Sequence, residues 1–537
     1  MTTAIRSFGP VTHGTTASRP LLIVAALLLA SFVVGFDTRV FAVGLPDLRA
    51  AYSLSVDEAS WLSTIANAPQ ILIASGVAWL ATVFGVRLIM IPAALVYAIV
   101  SLEIPMVNDG PLLFVLHAIR GLLLGVFIPT TIMVIFRNLD KRYWLVGIAI
   151  YALRAPLSQN LGFVLVGVYG DYLGWQWMYW QDVIVAPLIA LLLFIAAPKE
   201  EINFGLLKQA DWGGMMLLGS SMTMLYIGLD QGNRLDWFAS GTIIALLAGG
   251  SILAVGFLIN ESMVDHPWAH FSVIMSRNIG LGYAIIVCYA LSSAGASIAI
   301  PGFLQNVIGL RPISISTLYL VGAVIPVFLF ITVALLLLRR FDARLCIVIG
   351  LALMALGSQL GSKLTIAWAP WNFFPTIIFQ TAGQSFAFFA AVVYLIGNSD
   401  PSRSTAVSAY IQVVRLGSVE LATSALATLQ RHREQYHSDI LNGPVAATSQ
   451  QLHVLLSKLQ HVFGTGTRAH VESLSTVAGK IQSQAMVLAY SDLFVLSCLA
   501  AIFGLLIAVF MVSMPYGPLH PEFQHQARGD TKPDDRV

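Results

Sequence analysis

Apolar residues fill the chain in long, nearly unbroken runs, and short polar clusters punctuate them. Runs of about 18 or more apolar residues have the length that carries a helix across a roughly 30 Å hydrocarbon layer. Read with Pro, Gly and charge as punctuation, the pattern predicts fourteen spans, near 20–44, 60–84, 87–106, 111–136, 145–168, 177–197, 212–229, 238–259, 279–303, 313–338, 343–364, 372–397, 404–427 and 491–514. The first run continues past Asp37 towards Pro46 instead of stopping at a small-residue cleavage site, so a retained helix is expected there.

Composition supports lipid as the main solvent. Of 537 residues, 57% are hydrophobic and 10% charged, against roughly 25% charged in an average soluble domain. The expected fold class is therefore an all-α polytopic membrane protein. Lys and Arg partition between the two sides of this arrangement: short loops on one side hold only Arg49, Arg234, Arg311 and Lys363, and the rest of the short-loop and tail cations gather on the other. The positive-inside rule then places both termini in the cytoplasm.

Residues 428–490 break the short-loop pattern. Leu452, Leu455, Leu459 and Val462 fall at helical spacing, and a Gly-Thr-Gly turn at 464–466 precedes a second helical run. An extracytoplasmic helical hairpin is expected, serving either as a cover over the outer mouth or as a dock for another protein.

Several chemistries have no support. The net charge of +2 and scattered cations give no case for nucleic acid. Cys288, Cys346 and Cys498 all fall inside spans without CxxC spacing, so they read as packing residues. The histidines of "HREQYH" at 432–437 are five apart, not the four of a zincin helix. No phosphate-binding loop or dinucleotide fingerprint is present. Neither a cofactor nor a metal is expected, and no nucleophile-base set suggests an enzyme.

The informative residues are charges inside spans. A charge at mid-bilayer costs at least about 2.5 kcal/mol, so such residues face a bundle interior or a wet cavity. They are Asp37 and Arg39 in the first span, Arg120 in the fourth, Arg154 in the fifth, and Arg415 and Glu420 in the thirteenth. Asp37 and Arg39 lie about 200° apart around a helix and cannot pair with each other. Asp37 is either a protonatable carboxylate in a closing cavity or one half of a permanent salt bridge with an arginine such as Arg120. Arg154, Ser158 and Gly162 share one helix face, as do Ser408, Gln412 and Arg415 on the thirteenth span. Glu420 points roughly 140° away from Arg415, and is a second proton-site candidate or a carboxylate paired with a neighbouring helix. Gln380 and Gln384, among Phe373, Phe374, Phe386, Phe388 and Phe389, suit a cavity for bulky, partly apolar solutes, although Phe-rich surface is also ordinary packing. Gly121 and Gly125 in "RGLLLG" form a small-xxx-small surface for close helix approach.

Taken together, these segments resemble the fourteen-helix drug:proton antiporters of the major facilitator superfamily, the EmrB/QacA type. "GFDTRVFAVGLPDL" with "SVDEASWLSTIANAPQ" is similar to that family's opening, Asp37, Pro46 and Trp61 matching. "RGLLLG" resembles its fourth-span Arg-Gly motif, associated with proton coupling, and Arg120 is the matched position. "GFVLVGVYGDYLGWQWMYW" resembles its fifth-span antiporter motif at Gly162, Gly167, Asp171, Trp175 and Trp177, with Phe163 in place of the usual proline. "AWLATVFGVRL" keeps Leu80, Gly85 and Arg87 of the gating loop but has Thr82 where an acidic residue is usual.

The resemblance implies two six-helix bundles and two additional helices. It divides the chain into a cytoplasmic tail 1–19, a first bundle 20–197, two added helices 198–259, five helices of the second bundle 260–427, the hairpin 428–490, the last span 491–514 and a cytoplasmic tail 515–537. It implies proton-coupled export of amphipathic small molecules across a bacterial inner membrane by alternating access, with a periplasmic membrane-fusion adaptor docking on 428–490. Asp37, Arg120 and Glu420 are the proton-coupling candidates, and Arg39, Arg154, Ser158, Gln380, Gln384, Gln412 and Arg415 the cavity candidates. Gly85, Arg87, Gly121, Gly125, Gly162 and Gly167 are expected to gate or pack. Two alternatives remain: a carrier for one organic anion or siderophore, for which Arg39 and Arg154 would bind the charge, and a non-transporting scaffold or receptor.

Overall fold

Helix boundaries follow local chemistry. The computed structural model describes residues 19–264, 268, 276–399, 404–443, 450–463 and 466–514. Helix α1, Pro20–Ala51, begins with proline, whose missing N–H has no partner to lose in a first turn. Helix α2, Val56–Phe84, opens on a reciprocal cap: the Glu58 amide donates to Ser55 Oγ at 3.2 Å and the Ser55 amide donates to Glu58 Oε2 at 2.8 Å. Then follow α3 Val86–Glu103, α4 Gly110–Phe127, α5 Pro129–Asn138, α6 Trp144–Val168, α7 Trp177–Ala196 and the short α8 Phe204–Lys208.

Helices α9 Trp212–Gly232 and α10 Gly241–Met263 form a pair. Asp211 holds both: it caps α9 by accepting from the Gly214 amide at 2.8 Å and accepts from Asn260 Nδ2 of α10 at 2.9 Å. The remainder is α11 Arg277–Gly302, α12 Pro312–Tyr319, α13 Ile325–Leu338, α14 Ala343–Gly361, α15 Phe374–Gly397, α16 Ser404–Asn442, α17 Gln450–Phe463 and α18 Thr467–Val509.

Helices occupy all fourteen predicted spans. Among the described residues, ten helical runs are long and apolar enough to cross a membrane, or eleven when the bent α2 is included. The helices at the remaining positions, α6, α9 and α16, are those that carry Arg154, Asp230, Arg415 and Glu420. Residues 428–490 fall on the extension of α16 to Asn442, on α17 and on the first half of α18; residues 444–449 and 464–465 lie outside the described set. Cys288, Cys346 and Cys498 are buried free thiols.

Helices α1–α7 pack on one another, chiefly α2 on α4, α3 on α7 and α1 on α6 and α7, and α11–α18 form a second group led by α14 on α15 and α11 on α18. The α9–α10 pair leans on α2 and α16, bridging the two groups. Between the groups, α6 lies against α12, α13 and α15, and α2 against α16. A Cβ on Gly125 would stand 2.5 Å from the Gln70 carbonyl oxygen, and one on Gly121 would collide with the Ala66 carbonyl, so only glycine lets α4 approach α2 this closely.

Candidate functional site

Asp37 of α1 and Arg120 of α4 form a buried ion pair, each 2% exposed. A second carboxylate, Asp182 of α7, lies 2.6 Å from the same guanidinium nitrogen and is also 2% exposed. The Arg120 Nε donates to Ser101 Oγ at 3.1 Å, and Tyr97 Oη donates to Asp182 Oδ2 at 3.0 Å. The guanidinium carbon sits 5.1 Å from the ring centres of both Tyr97 and Tyr179, close enough for cation–π attraction. Tyr179 in turn bonds His117, whose Nε2 is 2.9 Å from the phenol oxygen.

The cluster therefore has four helices, one guanidinium and two carboxylates in a dry environment. One cation neutralises one carboxylate; the second is left to carry a net charge or a proton. Asp182 did not stand out in the sequence because it lies near the Trp-rich start of its span, where a polar residue suits an interface. Six residues into α7 it is nevertheless buried, and an acidic residue followed by "VIVAPLIALLL" was the available signal.

Arg39 goes elsewhere, as its angular separation from Asp37 requires. Its Nε donates to the Gln159 carbonyl of α6 at 3.1 Å, and its guanidinium lies 4.7 Å from the centre of the Phe163 ring. It lines a narrow cavity between the two helix groups, with Gln159, Asn160 and Phe163 on one side and Ser297, Ile300, Tyr319, Ile377, Gln380, Thr381 and Gln384 on the other. Gln380 Nε2 is anchored on Ser358 Oγ at 2.7 Å and the Met354 carbonyl at 3.1 Å, while the Oε1 atoms of Gln380 and Gln384 are buried without a hydrogen-bond donor. The aromatic wall is Phe163 stacked on Tyr319, with centres 4.7 Å apart. The Phe residues around Gln380 and Gln384 do not line it: Phe386, Phe388 and Phe389 of α15 are core residues, and Phe373, just before α15, packs on Phe303 and Trp368.

The polar stripe of α6 faces α1. A Cβ on Gly162 would stand 2.5 Å from Arg39 Cγ, and one on Gly35 would meet Ser158 Oγ at 2.7 Å and Arg154 Cγ at 3.3 Å. Arg154 is 2% exposed, its guanidinium 5.3 Å from the Tyr151 ring centre. Arg415 of α16 lies within electrostatic range of Arg154. Glu420, on the other side of α16, has Asp230 and Tyr226 of α9 as its neighbours. Asp230 accepts from Thr64 of α2. Gln412 and Ser408 have side chains outside the described set.

At the far end of α6, Asp171 pairs with Arg311, joining the two groups. Gly167 lies beside them, where a Cβ would stand 2.8 Å from Ile313 Cα. At the opposite ends of the helices, Gly85 has a φ of 82°, a conformation glycine adopts without strain. Arg87 donates to the Ala197 carbonyl at 3.1 Å and lies 4.5 Å from the centre of the Phe194 ring. Thr82 turns inward onto its own helix, donating to the Ala78 carbonyl at 2.9 Å.

Comparisons with known proteins agree with this architecture. The "Probable multidrug resistance protein EmrY" of Escherichia coli strain K12 is 24% identical over 94% of this chain and 97% of its own length. The "Multidrug export protein EmrB" of the same strain is 23% identical over 93% and 96%. The solved structure of the proton:xylose symporter XylE, bound to 6-bromo-6-deoxy-D-glucose, superposes with a TM-score of 0.54 at 14% identity, over 94% of this chain and 99% of that one. The Major Facilitator Superfamily profile matches residues 27–420. This chain is an integral membrane protein with the major facilitator fold, a transporter and not an enzyme, and it belongs to the Major Facilitator Superfamily.

Proposed function

We propose that this transporter exports amphipathic small molecules in exchange for protons. The observation that carries the reading is the buried cluster of Arg120 with two carboxylates, Asp37 and Asp182. Two carboxylates on one guanidinium give a low-dielectric site a proton to take and to lose, and the loss or gain reorganises the contacts of four helices at once. The substrate reading rests on the cavity between the helix groups and on the relatives printed as multidrug export proteins. The cavity mixes aromatic and aliphatic walls with a few polar atoms, which suits partly apolar solutes.

In the cycle we infer, α1–α7 and α11–α18 rock about this cavity and the Asp171–Arg311 pair closes its outer end. In this reading the chain crosses the membrane fourteen times with both termini in the cytoplasm of a bacterium, in its inner membrane, and divides as the family resemblance implies. The helices of 428–490 project on the outer side, where a periplasmic adaptor docks. Glu420 beside Asp230 is a secondary proton-site candidate.

Everted membrane vesicles loaded by a proton gradient test the reading: fluorescent lipophilic compounds accumulate with wild-type protein and not with Asp37→Asn. Undiminished accumulation with Asp37→Asn and Asp182→Asn would remove both carboxylates from the mechanism.

A further inference from the structure

The buried charge cluster has a further support that carries no charge of its own. The guanidinium of Arg120 lies over two phenol rings, its carbon 5.1 Å from each ring centre. Tyr97 is held there by its own bond to Asp182, so the cluster itself explains its place. Tyr179 is held from outside the cluster: its hydroxyl is bonded to His117 Nε2 at 2.9 Å. His117 and Tyr179 are both 0% exposed.

The imidazole is oriented by the backbone. His117 stands one turn before Arg120 on α4, and its Nδ1 lies 2.8 Å from the Leu113 carbonyl oxygen. A carbonyl oxygen only accepts, so Nδ1 carries the ring proton, and in the neutral ring Nε2 is left to accept from Tyr179 Oη. Aromatic contacts fix the plane of the ring: Phe41 of α1 meets it edge-on with centres 5.5 Å apart, and the Tyr179 ring does the same at 5.6 Å. Phe41 follows Asp37 by one turn of α1, so the packing that orients His117 borders the carboxylate as well.

We infer that His117 and Tyr179 are positioning residues of the proton site: the imidazole fixes the phenol, and the phenol ring holds the Arg120 guanidinium where Asp37 and Asp182 share it. Their role rests on the proton-exchange reading and adds what tunes that site. A ring face attracts a desolvated guanidinium only while the ring stays in place. Once the ring is released, the guanidinium settles against one carboxylate, the other loses part of its positive neighbour, and that carboxylate takes a proton at higher pH. The other ionisable groups in electrostatic range are phenols: Tyr97 and Tyr169 near Asp182, and Tyr52 near Tyr179. The competing role for His117 is to carry the proton itself, and the two roles differ in what a side chain at 117 must supply.

The test is infrared difference titration of the full-length protein in lipid bilayers, which reads the C=O stretch of a protonated carboxyl and needs no substrate. Wild type should show a titrating carboxyl band that is lost in Asp37→Asn or Asp182→Asn. A wild-type titration without such a band would overturn the proton-site reading, and the positioning role with it. Given the band, Tyr179→Phe, which keeps the ring and removes its anchoring hydroxyl, and His117→Leu, which removes the acceptor, should each raise the midpoint. The rise should be roughly half to one pH unit, about a three- to tenfold gain in proton affinity, the scale of one neutral hydrogen bond. The double variant should shift no further than either single one, because both cut the same bond. His117→Gln should titrate near wild type, since its amide nitrogen donates to Leu113 and its oxygen accepts from Tyr179. Midpoints unmoved or lowered in both Tyr179→Phe and His117→Leu would overturn the positioning role and leave the proton site standing. A His117→Gln shift as large as that of Tyr179→Phe would also overturn it, making the imidazole a proton carrier and not an anchor. If His117→Leu fails to fold, Tyr179→Phe and His117→Gln decide it.

Discussion

At the scale of single residues, the centre of the molecule is an imbalance of charge: Arg120 serves Asp37 and Asp182 together. Removing Arg120 leaves two buried carboxylates unmatched, so Arg120→Leu should destabilise the protein by about 3–5 kcal/mol. Thermal unfolding in detergent should show this as a marked fall in Tm, and combining it with Asp37→Asn and Asp182→Asn should restore much of the loss. Tyr97→Phe removes one donor to Asp182 and should have an effect of only about 1 kcal/mol, with folded protein recovered in normal yield. An unchanged Tm in Arg120→Leu would mean that the cluster is wetter than its burial implies. The sequence made Asp37 and Arg120 visible because each interrupts an apolar run, and it left two roles open for Asp37. The structure joins those roles: Asp37 is salt-bridged to Arg120, and a second carboxylate makes the same bridge a candidate proton site. Asp182 was hidden because one polar residue near a Trp-rich helix end is ordinary.

At the scale of elements, helix packing is set by where side chains are missing. Gly121 and Gly125 put α4 against the backbone of α2, and Gly35 and Gly162 let α1 and α6 interlock through Arg154, Ser158 and Arg39. Gly125→Leu should therefore separate α4 from α2 and lower Tm by several degrees, with loss of monodisperse protein on size-exclusion chromatography. Gly162→Ala meets a flexible arginine stem instead of backbone, so it should fold and chiefly raise KM for export by displacing Arg39. A Gly162→Ala variant as unstable as Gly125→Leu would show that Arg39 cannot give way. Span positions were legible because apolar length and punctuation survive divergence. The cavity wall was not: periodicity identifies an apolar face but does not say whether that face meets a neighbour or a void, which is why α15 contributes glutamines while Phe163 and Tyr319 supply the aromatic surface.

At the scale of the whole molecule, the two helix groups meet at α6 with α12, α13 and α15, and an exposed ion pair, Asp171 with Arg311, joins them at one end. Exposed pairs contribute little to stability, about 0–1 kcal/mol, but a pair that exists in only one arrangement biases the balance between arrangements by its whole strength. Asp171→Asn should leave Tm nearly unchanged and increase labelling of a cysteine placed at Ser297 by an impermeant thiol reagent added outside; the charge swap Asp171→Arg with Arg311→Asp should return labelling to the wild-type level. Unaltered labelling in Asp171→Asn would separate the pair from closure. The central claim is that a proton bound at Asp37, Arg120 and Asp182 is exchanged for substrate. Its most direct test is proton movement in liposomes that contain the purified protein and an internal pH-sensitive dye. Under an imposed gradient, added substrate should trigger proton flux with wild-type protein and none with Asp37→Asn or Asp182→Asn, both variants still binding substrate. Flux of wild-type size in both variants would contradict the claim.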